Sequence, residues 1–304
     1  MQFHASSIGS AVPQHDFDAL VQSVFDSSVN LCLVDQDRLI TILISDHYEL
    51  PQGIRLDVKN VPFQLLTVGM RAFCRDRILR FDSSPLTIDL RSTPIWEAQL
   101  SHIDITKPST KQAVSIVWKI LNRGQKLKQT DLTAEDLIQS EKGSLLTRKL
   151  SRPVLELVAA TECFDADTAS DAARKMIGLG PGVTPAGDDI LIGFLAGLWS
   201  VAGEDNQRLL FISDFGKALL SLVKETNEIS RTYLYHAVRG EFSSSFITLI
   251  KAIGKSEEER LTRAAKNAMQ VGHSSGMDSI TGLVIGLTIW SDPPSPLVSR
   301  LLSK

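Results

Sequence analysis

The sequence predicts an α+β protein, a β-rich N-terminal barrel or sandwich followed by a mostly α-helical C-terminal region. Short apolar runs parted by turn residues crowd residues 1–106, and apolar residues recur at helical spacing across 107–304. The change of character falls at Lys107-Pro108-Ser109. Two domains with these bounds, 1–106 and 107–304, suit a chain of 304 residues.

The first domain is taken in order. Asp16 is placed to cap a helix over 17–27, with Leu20, Val24 and Phe25 on one face. Residues 31–34 and 39–44 are apolar runs around Asp35-Gln36-Asp37-Arg38, a hairpin signal. Residues 53–58 and 63–68 continue as strands, with Asn60 and Pro62 between them. Residues 77–82 and 86–90 alternate at period two about Ser83-Ser84-Pro85. Five or six such strands with short turns make a small barrel or sandwich.

In the second domain, Ala113, Val114, Val117, Trp118 and Leu121 predict a helix over 111–123, with Gly124 as its stop. Thr133 caps another. Residues 145–160 read as partly helical, with Pro153 near the start. Residues 165–177 form an amphipathic helix that ends at Gly178. Further helices are expected over 207–224, 226–240, 244–253, 257–271 and 279–290, and Asp292-Pro293-Pro294-Ser295-Pro296 stops regular structure.

A net charge of −3 leaves no electrostatic footprint for nucleic acid. Cys32, Cys74 and Cys163 lack metal-ligand spacing, and so sparse and odd a count suits buried free thiols in a reducing cytoplasm. The N-terminus has neither the basic nor the apolar region of a signal peptide. The longest apolar run, near 190–202, is about a dozen residues, against the ~20 that a membrane span needs.

The chain is organised around Gly178-Leu179-Gly180-Pro181-Gly182-Val183-Thr184-Pro185-Ala186-Gly187-Asp188-Asp189 and the apolar segment that follows. Glycine permits close backbone approach and proline suits a first helical turn, so this reads as an exposed-backbone loop opening a buried helix. Such a loop can bind an anion through free N–H groups or place a cation by its carboxylates. A tight turn with Asp as a helix cap is the plain structural alternative. The spacing is neither a phosphate-binding Walker loop nor a dinucleotide fingerprint.

The stretch has an internal echo. Residues 187–198 and 276–287 both read G-x-D-x-x-x-G-x-x-x-G-L. Glycines four apart share a helical face and admit another backbone. Two closely packed helices are expected, their starts bringing Asp189 and Asp278 together beside a shared pocket. A carboxylate in a helix's first turn is favoured by ~0.3–1 kcal/mol without any function. That accounts for one Asp, not for two matched loops rich in glycine and hydroxyls.

Asp188, Asp189 and Asp278 are hard oxygen ligands of the kind Mg²⁺ takes. The amides of Gly180, Gly182 and Gly187, with Thr184, Ser274 and Ser275, can cradle phosphate or carboxylate. His273 can act as base or donor. Arg231 and Arg239, eight apart, fall on roughly one helical face and can read a planar anion. A salt bridge is the simpler role for Arg239. No Ser-His-Asp signature such as G-x-S-x-G accompanies the serines.

The run 178–189 resembles the G-L-G-P-G-L-T-P-x-G-D-D signature of the AllH-like family, named for one subunit of oxamate carbamoyltransferase. Arg231-Thr232, Arg239-Gly240-Glu241-Phe242 and 272–278 match in order, and Ile8-Gly9 is similar to the family's opening. Val183 and Met277 depart from the usual Leu and aromatic residues. The resemblance implies a chain that works with two other subunits in allantoin breakdown, converting oxalurate and phosphate to oxamate and carbamoyl phosphate. It leaves two roles open. The chain is either a catalytic carbamoyltransferase subunit holding phosphate, carbamoyl phosphate or an oxamate-like acid, or a non-catalytic binding or assembly subunit of the complex.

Overall fold

A computed structural model describes residues 1–34, 36, 38–139 and 143–291 of the chain. Two compact units emerge, Met1–Gln99 with Phe242–Ser244, and Leu100–Glu241 with Ser245–Lys304.

The first unit is an eight-stranded barrel of β1 (Gln2–Gly9), β2 (Phe17–Val24), β3 (Ser28–Leu33), β4 (Leu39–Leu43), β5 (Gly53–Leu56), β6 (Arg71–Arg75), β7 (Ile78–Phe81) and β8 (Thr87–Asp89). The order around it is β5-β4-β3-β2-β6-β7-β8-β1, and β1 pairs back onto β5. Closure leaves no long open edge. The inward side chains, among them Leu31, Ile42, Ile54, Leu56, Leu79 and Ile88, are fully buried and fill the barrel. The β1–β5 register shifts between Ala5 and Ser7, and β1 pairs with β8 over Gln2–His4 and with the short β9 (Ile95–Trp96) at Ile8 and Gly9.

Three expectations for this unit are corrected. Residues 17–24 form β2 rather than a helix: Phe17, Ala19 and Val21 are buried while Leu20 is 41 % exposed, a period of two. Asp16 caps nothing there; its carboxylate accepts the backbone N–H of Asp76. Residues 63–68 are not a strand, since Phe63–Leu65 turns as a 3₁₀ helix. Phe63 and Leu66, three apart, are buried, while Leu65 and Val68 are exposed. The hairpin of β3 and β4 forms in register, Ser28 opposite Leu43 and Cys32 opposite Leu39. Asp35 and Asp37 of its turn, and the stop expected at 292–296, lie outside the described residues.

The second unit is helical. Its described residues form α1 (Pro108–Lys128), α2 (Ala134–Gln139), α3 (Leu145–Glu162), α4 (Ala166–Arg174), α5 (Ala186–Ala202), α6 (Asn206–Leu222), α7 (Glu228–Ala237), α8 (Ser244–Lys255), α9 (Glu258–Met269) and α10 (Ser275–Thr288). Thr133 caps α2 as expected, through Asp136 N–H at 3.1 Å. Gly124 does not stop α1. The helix runs through it to Gln129, which has φ 51°. A Cβ on Gly124 would lie 2.1 Å from the Met269 methyl, so this glycine serves α1–α9 packing. Pro153 sits in the middle of α3, not near its start. Cys74 is buried, Cys32 half-buried and Cys163 exposed, so the expectation of buried thiols holds only in part. No described helix is long and apolar enough to cross a membrane.

Candidate functional site

Helices α5 and α10 are buried on nearly every side, and each packs most extensively against the other. Their glycines make this contact a backbone contact. A Cβ on Gly193 would fall 1.8 Å from the Ser279 carbonyl oxygen, and one on Gly282 would fall 1.9 Å from that of Ile190. Farther along, a Cβ on Gly197 would meet Leu287 N at 2.5 Å and one on Gly286 the Phe194 oxygen at 2.3 Å. Residue numbers rise together along the contact, so the helices run parallel and their starts lie at the same end.

Asp189 and Asp278 stand there in equivalent positions. The Asp189 N–H donates to the Pro185 carbonyl at 3.1 Å and the Asp278 N–H to that of Ser274 at 3.0 Å, closing the first turn of each helix. Neither residue is more than 4 % exposed. Asp189 Oδ2 and Asp278 Oδ1 are buried without a hydrogen-bond partner. Burial drives the Asp189 carboxyl well above the usual carboxylate range, and the neighbouring Asp278 carboxylate pushes the same way. The hydroxyls of Ser275 and Thr184 offset this only in part. Burial likewise lifts Asp278 to about 7 against the opposing Ser274 hydroxyl. Both shifts favour the protonated forms, so the pair holds protons to a higher pH than ordinary carboxyls do, and the titration belongs to the two groups together.

A hydroxyl layer borders the pair. Thr184 Oγ1 and Ser275 Oγ are 2.6 Å apart and bridge the two loops. The echo in the sequence sets Thr184 against Ser274; the structure pairs it with Ser275 instead. Thr184, Ser274 and Ser275 are half-buried, between the exposed loop tips and the carboxyls.

Asp188 points elsewhere. It is wholly buried, with Oδ1 accepting the Gly178 N–H at 2.8 Å and Oδ2 the Thr226 hydroxyl at 2.5 Å. Burial raises its carboxyl, opposed by these bonds. Adjacent helix residues diverge by about 100°, so Asp188 and Asp189 cannot face the same way. The expected cation cage of Asp188, Asp189 and Asp278 is thus not assembled, and no three His, Cys, Asp or Glu side chains are grouped to hold a metal among the described residues.

The remaining expected residues divide. Gly182 has open space around it at φ +98°, leaving its backbone approachable. Gly180, at φ +128°, is packed on Ala186. Gly187 is not a free anion donor, because its N–H donates to the Leu179 carbonyl at 2.9 Å. His273 is exposed in the loop before α10, where its carbonyl accepts Lys128 Nζ at 3.5 Å. Arg231 is half-buried near the start of α7. Arg239 lies beyond the end of that helix, so the two arginines do not share a helical face. The Arg239 guanidinium stacks 3.5 Å over the Tyr235 ring and donates to the Tyr235 carbonyl at 2.8 Å.

Sequence reasoning missed two groups of residues. His236, 3 % exposed, pairs through Nδ1 with Glu241 Oε2 at 2.6 Å, and five-residue spacing across a helix end gives no advance signal. Thr226 and Asn227 support the first glycine loop. The polar pair ahead of a helical pattern signals a cap but not this contact. Two surface clefts lie away from the acid pair. One follows α9 along Glu258, Arg263 and Lys266, a solvated face of mixed charge. In the other, beside His4 and Thr93, Asp89 is neutralised by Arg91, whose hydrogen bonds hold it far below the usual carboxylate range.

A family model described as oxamate carbamoyltransferase subunit AllH matches residues 176–287, from the turn before the first glycine loop through most of α10. A second, described as the AllH family N-terminal domain, matches residues 4–95, the barrel. No solved structure matches the chain.

Proposed function

The chain belongs to the AllH family, and we propose that it serves as a subunit of an oxamate-type carbamoyltransferase whose site lies at the paired starts of α5 and α10. One observation carries this reading: two buried carboxyls with unpartnered oxygens meet at parallel helix starts, under hydroxyls that join the two glycine loops.

The reaction proposed is oxalurate with phosphate to oxamate and carbamoyl phosphate. A phosphate oxygen adds to the ureido carbonyl carbon. The C–N bond to the future oxamate then breaks, and the departing nitrogen takes a proton. A carboxyl that stays protonated near neutrality is matched to that donation, and in reverse its carboxylate accepts the proton from the amide. Asp189 and Asp278 take these roles as a pair. The backbone of Gly180 and Gly182, with Thr184, Ser274 and Ser275, holds the anion, helped by the positive ends of both helices. Arg231 and His273 are the further groups proposed for substrate. A Mg²⁺ ion would be the alternative to the shared proton rather than an addition to it: it would draw on ionised Asp189 and Asp278 and on substrate oxygens, since Asp188 is engaged elsewhere. The three free thiols fit a reducing cytoplasm.

A second reading has its own support. Both carboxyls are at most 4 % exposed, as in a structural core, which favours a binding or assembly subunit. The test is Asp278→Asn in the complex purified with its partner subunits. Retained assembly with turnover reduced about 10²-fold or more is the catalytic outcome. Unchanged turnover leaves the assembly reading standing and rejects the other.

A further inference from the structure

We infer that Thr226 and Asn227, just ahead of α7, are positioning residues that hold the first glycine loop, residues 178–187, in the shape the acid pair requires. This rests on the reading of the paired helix starts as the site.

A loop with glycines at φ +128° (Gly180) and +98° (Gly182) has many alternatives open to it, and something outside must select one. The contacts that do so converge from one place. At the base of the loop, Asp188 takes the Gly178 N–H at 2.8 Å and the Thr226 hydroxyl at 2.5 Å, tying both chain segments to one buried carboxylate. Near the tip, Asn227 Nδ2 donates to the Val183 carbonyl at 3.0 Å.

Asn227 is also the cap of α7. Its Oδ1 accepts the N–H groups of Ile229 and Ser230, each at 3.0 Å. One side-chain amide thus serves two structures, its oxygen the helix and its nitrogen the loop. The residue after Val183 is Thr184, whose hydroxyl reaches Ser275 at 2.6 Å. The path from Asn227 through Val183 and Thr184 to Ser275 ends at the hydroxyl layer over Asp189. Neither Thr226 nor Asn227 reaches the acid pair through a contact of its own. Their loss therefore loosens the ligand cradle and leaves the proton-holding carboxyls in place.

Two variants separate the clasp from the cap. Asn227→Asp keeps a capping oxygen but turns a carboxylate oxygen toward the Val183 carbonyl. Asn227→Ser also caps but is too short to reach the loop. Hydrogen exchange on the full chain needs no activity. Amides of 179–184 should exchange roughly two- to tenfold faster in both variants, the value of one hydrogen bond, with α7 unchanged. In the assembled complex KM for oxalurate or phosphate should rise by a similar factor, with kcat changed less than about twofold. Thr226→Val should give the same pattern and Thr226→Ser should restore it.

Unaltered exchange at 179–184 in both Asn227 variants overturns the inference. So does equal acceleration of α7, which would make Asn227 a cap alone, or faster loop exchange with KM unmoved. Asp278→Asn, run in parallel, keeps the failures apart: unchanged turnover there removes the site itself, whatever the loop does.

Discussion

Asp189 and Asp278 occupy the same place, the fourth residue of two parallel helices whose backbones touch. Parallel helices set two positive ends side by side, a repulsion that carboxylates at those ends offset. Burial then opposes the charge that the dipoles favour, and both carboxyls are pushed toward their protonated forms.

This gives stability a pH dependence of defined sign. Asp278 titrates at about 7 when folded, against 3.8 as the ordinary value. Between these values the native state binds more protons than the unfolded one, so its contribution makes stability fall as pH rises from about 4 to about 7. Asp189 acts in the same direction. Other carboxyls, such as Glu156 beside Lys175, are lowered and act oppositely, so the comparison must be with a variant. Denaturant titrations of wild type and Asp278→Asn should show the variant gaining relative stability across that window, on the order of 4 kcal/mol at most.

Helix contact at the glycines leaves no room for a methyl group. Gly193→Ala places Cβ 1.8 Å from the Ser279 oxygen, and Gly282→Ala places it 1.9 Å from that of Ile190. Each should cost at least about 3 kcal/mol in chemical denaturation. Gly182→Ala, with nothing within 4 Å but φ +98°, should cost only about 1–2 kcal/mol from backbone strain. Equal losses at the two kinds of site would contradict this account.

The bridge between the loops is open to a double-mutant cycle. Thr184→Val and Ser275→Ala each remove one side of the 2.6 Å contact. Their coupling in unfolding free energy should be about 1 kcal/mol. A coupling near zero would mean that the hydroxyls do not join the loops in solution.

Glu241 should prove structural. Glu241→Ala leaves the buried His236 imidazole without its 2.6 Å partner, with an expected loss of about 1–3 kcal/mol by thermal or chemical unfolding. Within the family resemblance, the glutamate of Arg239-Gly240-Glu241-Phe242 is thereby explained by its pairing with the buried His236, next to Gly240, where an added Cβ would lie 3.5 Å from the Trp199 ring.

Local signals were legible where one pattern dominated. Repeated G-x-D-x-x-x-G-x-x-x-G announced a close helix pair, because glycines four apart have one purpose on a buried helix. Residues 17–24 were not legible. Phe17, Ala19 and Val21 keep a strand period, but Leu20, Val24 and Phe25 overlay a helical one, and only barrel closure selects between them. Gly124 has the look of a helix stop in sequence, but in the fold it faces Met269, 145 positions away in the chain.

The sequence alone determined the β-then-α order, the two matched helix starts and the residue types gathered at them. Those features are written in spacing and composition, which act over a few residues. The echo already pointed to Asp189 and Asp278 coming together; tertiary structure alone decided how closely the α5 and α10 backbones pack and that Thr184 bridges to Ser275. It also decided that Asp188, one residue from Asp189, turns to Gly178 and Thr226. Neighbouring residues on a helix diverge by about 100°, and what each then meets depends on segments distant in sequence.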